Sequence, residues 1–345
     1  MLGGGVFVTQ NKTLPGSYLN FVNASAASSA VGDRGVVAIA LPLNKAAGTI
    51  IPITKQQFVN ECSVYLGKEY KSDDVAPLRE IFCHANKVYI YDLGADGEVA
   101  NAIKAFEPYE FNILCAYTAE ATDIENYITA VKTWRDVIGK KCQVVVYNQT
   151  SPNYEGVINV VTTVSNEGAP EHALTAWVAG AEAGCKINES CTNLRYDGEY
   201  TVDANKTQSE LEECIQNGQI ALHLVYDEIR MLEDVNSLVT VTNDKGEDFK
   251  YNQTIRVIDQ IANDIAKLFN TKYLGRIPNN ASGRVSLWAD IVAHHRALEA
   301  LNAIDTFDAT LLTVEQGANK KSVVVNDCIS VMNAMTQLYM TVVIQ

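Results

Sequence analysis

The sequence predicts two units of different fold class, an α/β layer domain and a mixed α+β domain, with extended segments at both ends. Strand-like and helix-like segments alternate over residues 32–183, which favours a largely parallel sheet covered by helices. Residues 253–325 carry two amphipathic helical patterns followed by a hairpin pattern. The final run, 335–345, alternates with the two-residue period of a strand.

The first 31 residues predict an extended arm that ends in a linker. Three consecutive glycines near the start favour a flexible backbone, and Pro15 and Gly16 favour a turn. Val6, Phe7 and Val8 form a short strand-like run before that turn. Because the end of the segment is rich in Ala and Ser, we expect the first domain to begin near residue 32.

The elements of the α/β domain follow from short apolar runs that are separated by amphipathic segments. Pro52 cannot donate to a ladder, so the strand that contains it is expected at a sheet edge. Strands are predicted at 35–41, 48–53, 87–93, 111–117, 142–147 and 157–164, and helices at 54–67, 72–84, 97–106, 122–138 and 170–183. Residues 184–218 are mixed and polar, and 220–226 with 228–232 suggest a hairpin.

The last third of the chain predicts helix, loop, helix, hairpin and terminal strand. Apolar residues at steps of three and four indicate helices at 253–270 and around 288–298, with loop chemistry at 272–283 between them. Such an apolar terminal strand needs a sheet to pair with, either in its own chain or in a neighbour. One face of that strand carries Leu338, Met340, Val342 and Ile344.

Composition narrows the possible partners. The net charge of −14 argues against nucleic-acid binding, which requires a basic face to neutralise phosphates. The eight cysteines form no CxxC pair, and no apolar run approaches the ~20 residues of a membrane span. Because a signal-peptide pattern is also missing, we expect synthesis in a reducing cytosol with free thiols.

The sequence shows no spaced catalytic or cofactor motif. The glycines at 3–5 do not open a helix, and neither a nucleophile elbow nor a phosphate loop occurs. His294 and His295 lack HExxH spacing, and His172, Cys185 and Cys191 lack a fourth zinc ligand. We therefore expect neither an enzyme nor a metal or cofactor site. An α/β enzyme or nucleotide-binding protein that uses the 32–183 sheet remains the alternative.

Several stretches carry a family resemblance. They are GGGVFVTQNKTLPGSYLNFVNA at the start, GDRGVVAIALPL at 32–43, ITKQQF at 53–58, RVIDQIANDI at 256–265 and the terminal MTVVIQ. In these stretches and their order, the chain resembles the contractile tail sheath proteins of phages and phage-tail-like bacteriocins. The similarity is to the short sheaths of Gram-positive prophage-type elements in particular. The inner tube subunit of the same machine is a less suitable alternative, because tube subunits are smaller and mostly β.

The resemblance implies a structural subunit that stacks as hexameric rings around an inner tail tube. Contraction of the sheath would drive the tube through a target envelope, with baseplate and tail terminator proteins as further partners. Residues 32–219 would form an outer α/β domain and 220–334 an inner assembly domain, flanked by arms at 1–31 and 335–345. The protein would be made in the bacterial cytoplasm and assembled in a phage tail or a released tail-like particle. The residues expected to donate strands to neighbouring subunits are Val6, Phe7, Val8, Leu338, Met340, Val342 and Ile344.

Charged residues of the inner domain are the candidates for contact with the tube. A sheath must hold its tube and later release it, and exposed charge pairs worth about 0–1 kcal/mol each can be broken together. The helix at 253–270 and the loop after it present several cations. These candidate tube contacts are Arg256, Lys267, Lys272, Arg276 and Arg284.

Overall fold

The computed structural model describes residues 31–95 and 97–344, and a seven-stranded sheet forms the centre of the first unit. Its strands are β1 (Val36–Leu41), β2 (Ile50–Thr54), β3 (Lys87–Asp92), β4 (Ile113–Cys115), β5 (Gln143–Tyr147), β6 (Val157–Val160) and β7 (Gln219–Ile220). The spatial order is β2-β3-β1-β4-β5-β6-β7, and only β2 is antiparallel to its neighbour. The predicted largely parallel sheet is confirmed, and Pro52 lies on the edge strand.

The central strand β1 shows why this sequence forms a two-sided sheet. Val37 and Ile39 pack into the core on one face, while Ala38 and Ala40 pack into the core on the other. All four are buried, so the strand is a continuous apolar run rather than an alternating one. Strands that are buried on both faces have this pattern in parallel sheets.

Helices cover both faces of the sheet. Those of the first unit are α1 (Lys55–Leu66), α2 (Ala76–Ile81), α3 (Val99–Phe106), α4 (Ala121–Thr133), α5 (Leu174–Gly184) and α6 (Gln208–Gln216). Buried residues of α1, α2 and α5 belong to one core, and those of α3 and α4 belong to the other. Thr54 and Gln57 form a capping box that starts α1, and Gly67 ends it in a left-handed conformation.

The polar stretch at 184–218 contains a helix that the apolar periodicity did not predict. Six of the nine residues of α6 are polar, but Thr207 and Glu210 form a capping box at its start. The predicted hairpin after this stretch is present as β8 (Leu222–Val225) and β9 (Glu228–Met231). Tyr226 and Asp227 form its two-residue turn, both with positive φ.

The structure corrects the predicted domain boundary between residues 219 and 220. β7 crosses this position and pairs with β6, so residue 220 belongs to the sheet. Leu222, Met231 and Val235 also pack into a core of the first unit. The first unit therefore extends to about residue 235, because the hairpin covers an end of the sheet core rather than starting a new one.

A third apolar core holds the second unit together. Its elements are α7 (Asn252–Leu268), α8 (Ala281–Ala300), β10 (Thr313–Gln316) and β11 (Val323–Asn326), with a π-helical turn at Phe269–Tyr273 after α7. Val257, Leu268, Leu287, Ile291 and Leu298 pack the two helices together. The predicted order of helix, loop, helix and hairpin is confirmed.

The predicted terminal strand does not form with any of the described residues as its partner. Residues 335–344 have no regular secondary structure and no backbone hydrogen bond to another described residue. A strand requires a partner ladder, and the described part of the chain does not provide one.

Candidate assembly interface

The most apolar exposed surface of the described chain is its terminal segment, residues 335–344. Leu338 is 87% exposed, Met340 75%, Val342 69% and Ile344 93%. Soluble proteins rarely expose contiguous apolar residues of this kind unless they mark an interaction site. All four candidate strand-donating residues at this end are thus largely exposed, with little of their surface covered by the described residues.

The segment just before this one is firmly attached. Met332 N–H donates to the Ala303 carbonyl oxygen at 3.1 Å, and Ile304 forms an isolated bridge with Val331. Gln253, in the first turn of α7, donates to the Met332 carbonyl oxygen at 3.2 Å and accepts from Ala334 N–H at 2.9 Å. The chain is thus bonded to the second unit up to residue 334, and the apolar segment begins directly beyond that point.

The β10–β11 hairpin provides sheet edges in the same unit. The two strands pair only with each other among the described residues, so each has one free edge. Val324 and Val325 are 45% and 38% exposed. An exposed apolar edge strand is a template for pairing with another chain. Among the described residues, the strand-like segment 335–344 thus has no pairing partner, and the β10–β11 hairpin has edges to which a further strand could be added.

The prediction that Arg256 contacts the tube is wrong, because this side chain is buried. It lies on the face of α7 that packs against the first unit and is only 2% exposed. Its guanidinium donates to Glu182 Oε2 at 2.7 Å, to Asp234 Oδ2 at 3.2 Å and to the Glu189 carbonyl oxygen at 2.8 Å. The charge pattern of the helix suggested a solvated cation, but buried carboxylates that are distant in sequence take up this charge.

The other four candidate cations lie on or near the surface around the α7–α8 loop. Lys272 Nζ lies 2.6 Å from Asp290 Oδ2. Lys267 and Arg276 are exposed and Arg284 is half-buried, and none of these three pairs with a described carboxylate. The same loop exposes Leu274 and Ile277, and the first turns of α8 expose Val285; these three are between 41% and 63% exposed. The result is a surface of mixed cationic and apolar character in a strongly acidic chain.

A second buried ion pair helps to fix α7 to the first unit. Arg135 Nη2 lies 2.9 Å from Asp259 Oδ1, and both side chains are at most 9% exposed. Gln143 of β5 donates to Asn252 Oδ1 at 2.9 Å. Together with Arg256, these contacts give α7 a polar buried face toward the sheet domain and an apolar face toward α8.

The two carboxyl groups that contact Arg256, those of Glu182 and Asp234, differ in pKa. Burial and then the neighbouring Asp234 raise the pKa of Glu182 well above its usual value. Burial opposes ionisation of Asp234 as well, but Arg256 and a hydrogen bond from Glu182 hold the pKa of Asp234 below its usual value. Asp234 thus carries the negative charge that balances the guanidinium, while Glu182 retains a proton more readily.

Glu182, Cys191 and Asp234 are the three described residues whose ligand atoms lie close enough to hold a metal ion. The Arg256 guanidinium already lies among them, with Nη2 3.8 Å from Cys191 Sγ. A cation at this place would meet the positive charge of that side chain, so the donor set does not fit a metal. His172 lies before α5 and Cys185 after it, and this helix of 11 residues is ~16 Å long at 1.5 Å per residue, so the set of His172, Cys185 and Cys191 is not brought together.

His294 and His295 are buried and each contacts a carboxylate. His294 Nε2 lies 2.9 Å from Asp264 Oδ2, and His295 Nε2 lies 2.6 Å from Asp327 Oδ2. Asp264 also accepts the Gly32 N–H at 3.0 Å. These contacts tie α8 to α7, to the start of the first unit and to the segment after β11.

The geometry gives no support to the alternative of an α/β enzyme. Ligands of such sheets bind beyond the carboxyl ends of the strands. A cavity of about 450 Å³ lies at the opposite end, where Val36 begins β1 and where Asn112 and Lys141 precede β4 and β5. At the carboxyl end of β3, the Asp92 carboxylate is occupied by five backbone N–H groups at 2.7–3.1 Å.

The candidates at the N-terminal end, Val6, Phe7 and Val8, lie outside the described residues. No helix among the described residues is both long and apolar enough to cross a membrane.

Comparison with known proteins identifies the family. The family model for the phage tail sheath protein central domain matches residues 95–237, and that for the phage tail sheath C-terminal domain matches 244–345. Together they cover more than two thirds of the chain. The chain belongs to the phage tail sheath family.

Curated relatives agree with this family. The chain is 27% identical over 263 residues to the phage-like element PBSX protein XkdK of Bacillus subtilis, which is 72% of this chain and 56% of that protein. It is 27% identical to the tail sheath protein of Clostridium phage phiCD119, over 64% of this chain and 62% of that protein. The chain thus spans roughly half the length of the curated relatives that it matches.

Solved structures share the fold. The sheath tail protein of Desulfitobacterium hafniense matches with a TM-score of 0.80 and 23% identity, over 92% of this chain and 96% of that chain. The helical sheath of the anti-feeding prophage in its contracted state matches with a TM-score of 0.70 and 14% identity, over 97% and 99%. At these identities the likeness shows the fold alone.

Proposed function

We propose that this chain is a structural subunit of a contractile tail sheath, which stacks as hexameric rings around an inner tube and contracts to drive the tube through an envelope. Family membership supports the class of assembly. The observation that carries the proposal is the exposed apolar segment at 335–344, which begins directly after a firmly bonded stretch. Tail baseplate and terminator proteins are the expected further partners, and neither catalysis nor nucleic-acid binding is part of the function.

The joint between subunits is a strand that one copy donates to another. We assign the donor to 335–344 and the acceptor to a free edge of the β10–β11 hairpin of a second copy, with Val6, Phe7 and Val8 as a shorter second donor. Each ladder hydrogen bond would contribute about 0.5–1.5 kcal/mol. Each fully buried side chain of the inward face would add about 1.5–3 kcal/mol. Such a joint is strong enough to persist while rings rotate against each other.

Electron microscopy of purified variants tests the joint. Replacing Val342 and Ile344 by Asp places charges on the inward face of the donated strand, and we expect a folded chain that no longer polymerises. Replacing Thr341 and Val343 by Asp changes the same segment on its opposite face and serves as the matched control, with a milder defect. Tubular sheaths of normal length from the Val342 and Ile344 variant would contradict the donated-strand joint.

The same proposal gives the two units different positions in the sheath. The sheet domain would face outward, and the unit of α7, α8 and the hairpin would face the tube and keep the contacts between neighbours. Loop insertions are then tolerated in the sheet domain, for example after Gly168, and poorly tolerated in the loop between β10 and β11. Equal loss of assembly from both insertions would count against this arrangement.

Contacts with the tube are assigned to Lys267, Lys272, Arg276 and Arg284. These cations would pair with acidic groups of the tube, and the modest energy of exposed pairs allows release after contraction. Reversing all four to Glu should abolish co-assembly with the tube while self-assembly persists. The matched control reverses exposed Lys71 and Lys104 of the sheet domain. Co-assembly that is unchanged by the four reversals at low and moderate salt would refute the assignment.

A further inference from the structure

Four titratable side chains form one continuous series of contacts in the second unit. Asp264 Oδ2 lies 2.9 Å from His294 Nε2, and Asp327 Oδ2 lies 2.6 Å from His295 Nε2. Between them, Nδ1 of His294 lies 3.3 Å from Nδ1 of His295. Both imidazoles are buried, and their planes are inclined by 61°. Each ring thus has a carboxylate at one nitrogen and the other histidine at its second nitrogen.

These contacts fix the number of protons on the histidine pair, His294 and His295. An ionised carboxylate only accepts hydrogen bonds, so both Nε2 atoms must carry a proton. A hydrogen bond between the two Nδ1 atoms requires a proton on one of them and a lone pair on the other. One ring is then an imidazolium and the other a neutral imidazole. Without that proton two lone pairs face each other at 3.3 Å, and with a second proton two N–H groups collide.

The two carboxyl groups favour positive charge on the histidine pair. Burial raises the pKa of Asp264, but hydrogen bonds from His294, Gln260 and the Gly32 N–H hold it below its usual value. Among the described residues, neither Asp264 nor Asp327 pairs with a lysine or an arginine. Two carboxylates beside one imidazolium therefore attract a second proton as the pH falls, although the contact between the rings has no room for it.

Other charged groups near the histidine pair have contacts of their own. Arg34 Nη1 donates to Gln260 Oε1 at 3.3 Å. Arg296 pairs with Glu299 at 2.5 Å and lies over the ring of Phe307. Two exposed groups line the cavity beside α7, Asp33 and Lys267. The proton between the two rings is therefore not replaced by a neighbouring cation.

The position of the histidine pair gives this proton a structural role. Asp264 accepts the Gly32 N–H at 3.0 Å, at the start of the first unit. Asp327 follows β11 and precedes the stretch in which Met332 and Ala334 are hydrogen-bonded to the second unit. The contact between the two rings thus connects α7 and the first unit with the root of the terminal segment, residues 327–334.

We propose that His294 and His295 form a pH-sensitive switch that holds the root of the terminal segment only while a single proton lies between their Nδ1 atoms. A second proton in acid, or loss of the shared proton in base, separates the rings and displaces Asp327 with the segment that follows it. The contact is thus strongest at an intermediate pH, within the range of about 5 to 8 in which histidines change charge. The switch acts within one chain and does not depend on the proposed sheath function.

Nitrogen-15 NMR of the full-length protein with labelled histidine tests the shared proton directly. The chain has five histidines, and the signals of the pair are identified by their loss in His294→Gln and His295→Gln. We expect three of the four ring nitrogens of the pair to carry protons at intermediate pH, with a scalar coupling between the two Nδ1 nuclei. Two neutral rings or two imidazolium rings throughout the range from about pH 5 to 8 would overturn the proposal.

Hydrogen–deuterium exchange tests the effect on the root of the terminal segment. After correction for the intrinsic pH dependence, the amides of Met332 and Ala334 should exchange slowest at intermediate pH. They should exchange about tenfold faster on either side, because one lost hydrogen bond worth about 1.4 kcal/mol changes an opening equilibrium tenfold. Corrected exchange rates that do not vary with pH would overturn the proposed hold on this segment.

Two variants separate the histidine pair from other titrating groups. In His294→Gln the side-chain amide can still donate to Asp264, but His295 loses the partner of its Nδ1 atom. The minimum in exchange rate should therefore disappear. His84 also contacts a carboxylate, with Nε2 3.1 Å from Asp197 Oδ1, and His84→Gln in the sheet domain is the matched control. A minimum that persists in His294→Gln, or one that His84→Gln removes, would contradict the switch.

Discussion

Removing the guanidinium of Arg256 should destabilise the protein more than any exposed substitution on the same helix. Arg256→Met keeps a long side chain but leaves Glu182 and Asp234 without their cation, and both side chains are at most 2% exposed. Breaking a buried ion pair by removing one partner costs about 3–5 kcal/mol. We expect a loss of about this size in the free energy of unfolding at pH 7. Urea denaturation followed by tryptophan fluorescence measures it, because Trp177 lies in the first unit and Trp288 in the second.

Two further variants give this experiment its control and its explanation. Lys267→Met removes an exposed charge from the same helix and should change the free energy of unfolding by less than about 0.5 kcal/mol. Adding Glu182→Gln and Asp234→Asn to Arg256→Met replaces the two uncompensated carboxyl groups by neutral amides and should restore part of the loss. Arg256 helps to hold the pKa of Asp234 below its usual value, so the stability that this carboxylate contributes is present above pH 3.8 and is lost as the pH falls further. The deficit of the single variant should therefore shrink in acid. A loss below about 1 kcal/mol at pH 7 would refute the assigned role of the guanidinium.

Three smaller predictions concern the sheet domain. Burial raises the pKa of Glu80 from 4.5 to about 6. The contribution of this carboxyl group to the free energy of unfolding is therefore complete below pH 4.5 and falls by about 2 kcal/mol as the pH rises through 6. Glu80→Gln should remove this pH dependence from the melting temperature measured across that range. Replacing Tyr226 and Asp227 by Asn and Gly suits a turn with two positive φ angles and should stabilise the hairpin by about 1 kcal/mol, whereas an unchanged melting temperature would contradict the assigned strain. Gly180→Ala would place a Cβ 2.3 Å from the Ile81 carbonyl oxygen and should lower the melting temperature, which an exposed Gly246→Ala change should not do.

The sequence predicted the sheet well because its strands are local apolar runs. β1 is buried on both faces and β2 contains Pro52, and both signals lie within a few residues of chain. α6 was missed because six of its nine residues are polar, although the capping box at Thr207 is a signal that the sequence contains. Elements with a clear apolar pattern were thus predicted correctly, and the helix that was missed is one whose apolar pattern is weak.

The role of Arg256 could not be predicted from its neighbours in sequence. The helix period showed a charged residue away from much of the apolar stripe, which normally indicates solvent exposure. Its carboxylate partners, Glu182 and Asp234, lie 74 and 22 residues away. No periodicity within α7 carries information about charges that arrive from α5 and from the segment after β9.

The attachment of the terminal segment determines how the molecule bears mechanical load. Tension applied beyond Ala334 enters through the two hydrogen bonds of Gln253, in the first turn of α7. One turn further along the helix, Arg256 and then Asp259 anchor it to the sheet domain through buried ion pairs. A pull on the end of the chain therefore meets the start of α7 directly, and α7 is joined to the domain of the seven-stranded sheet by these buried ion pairs.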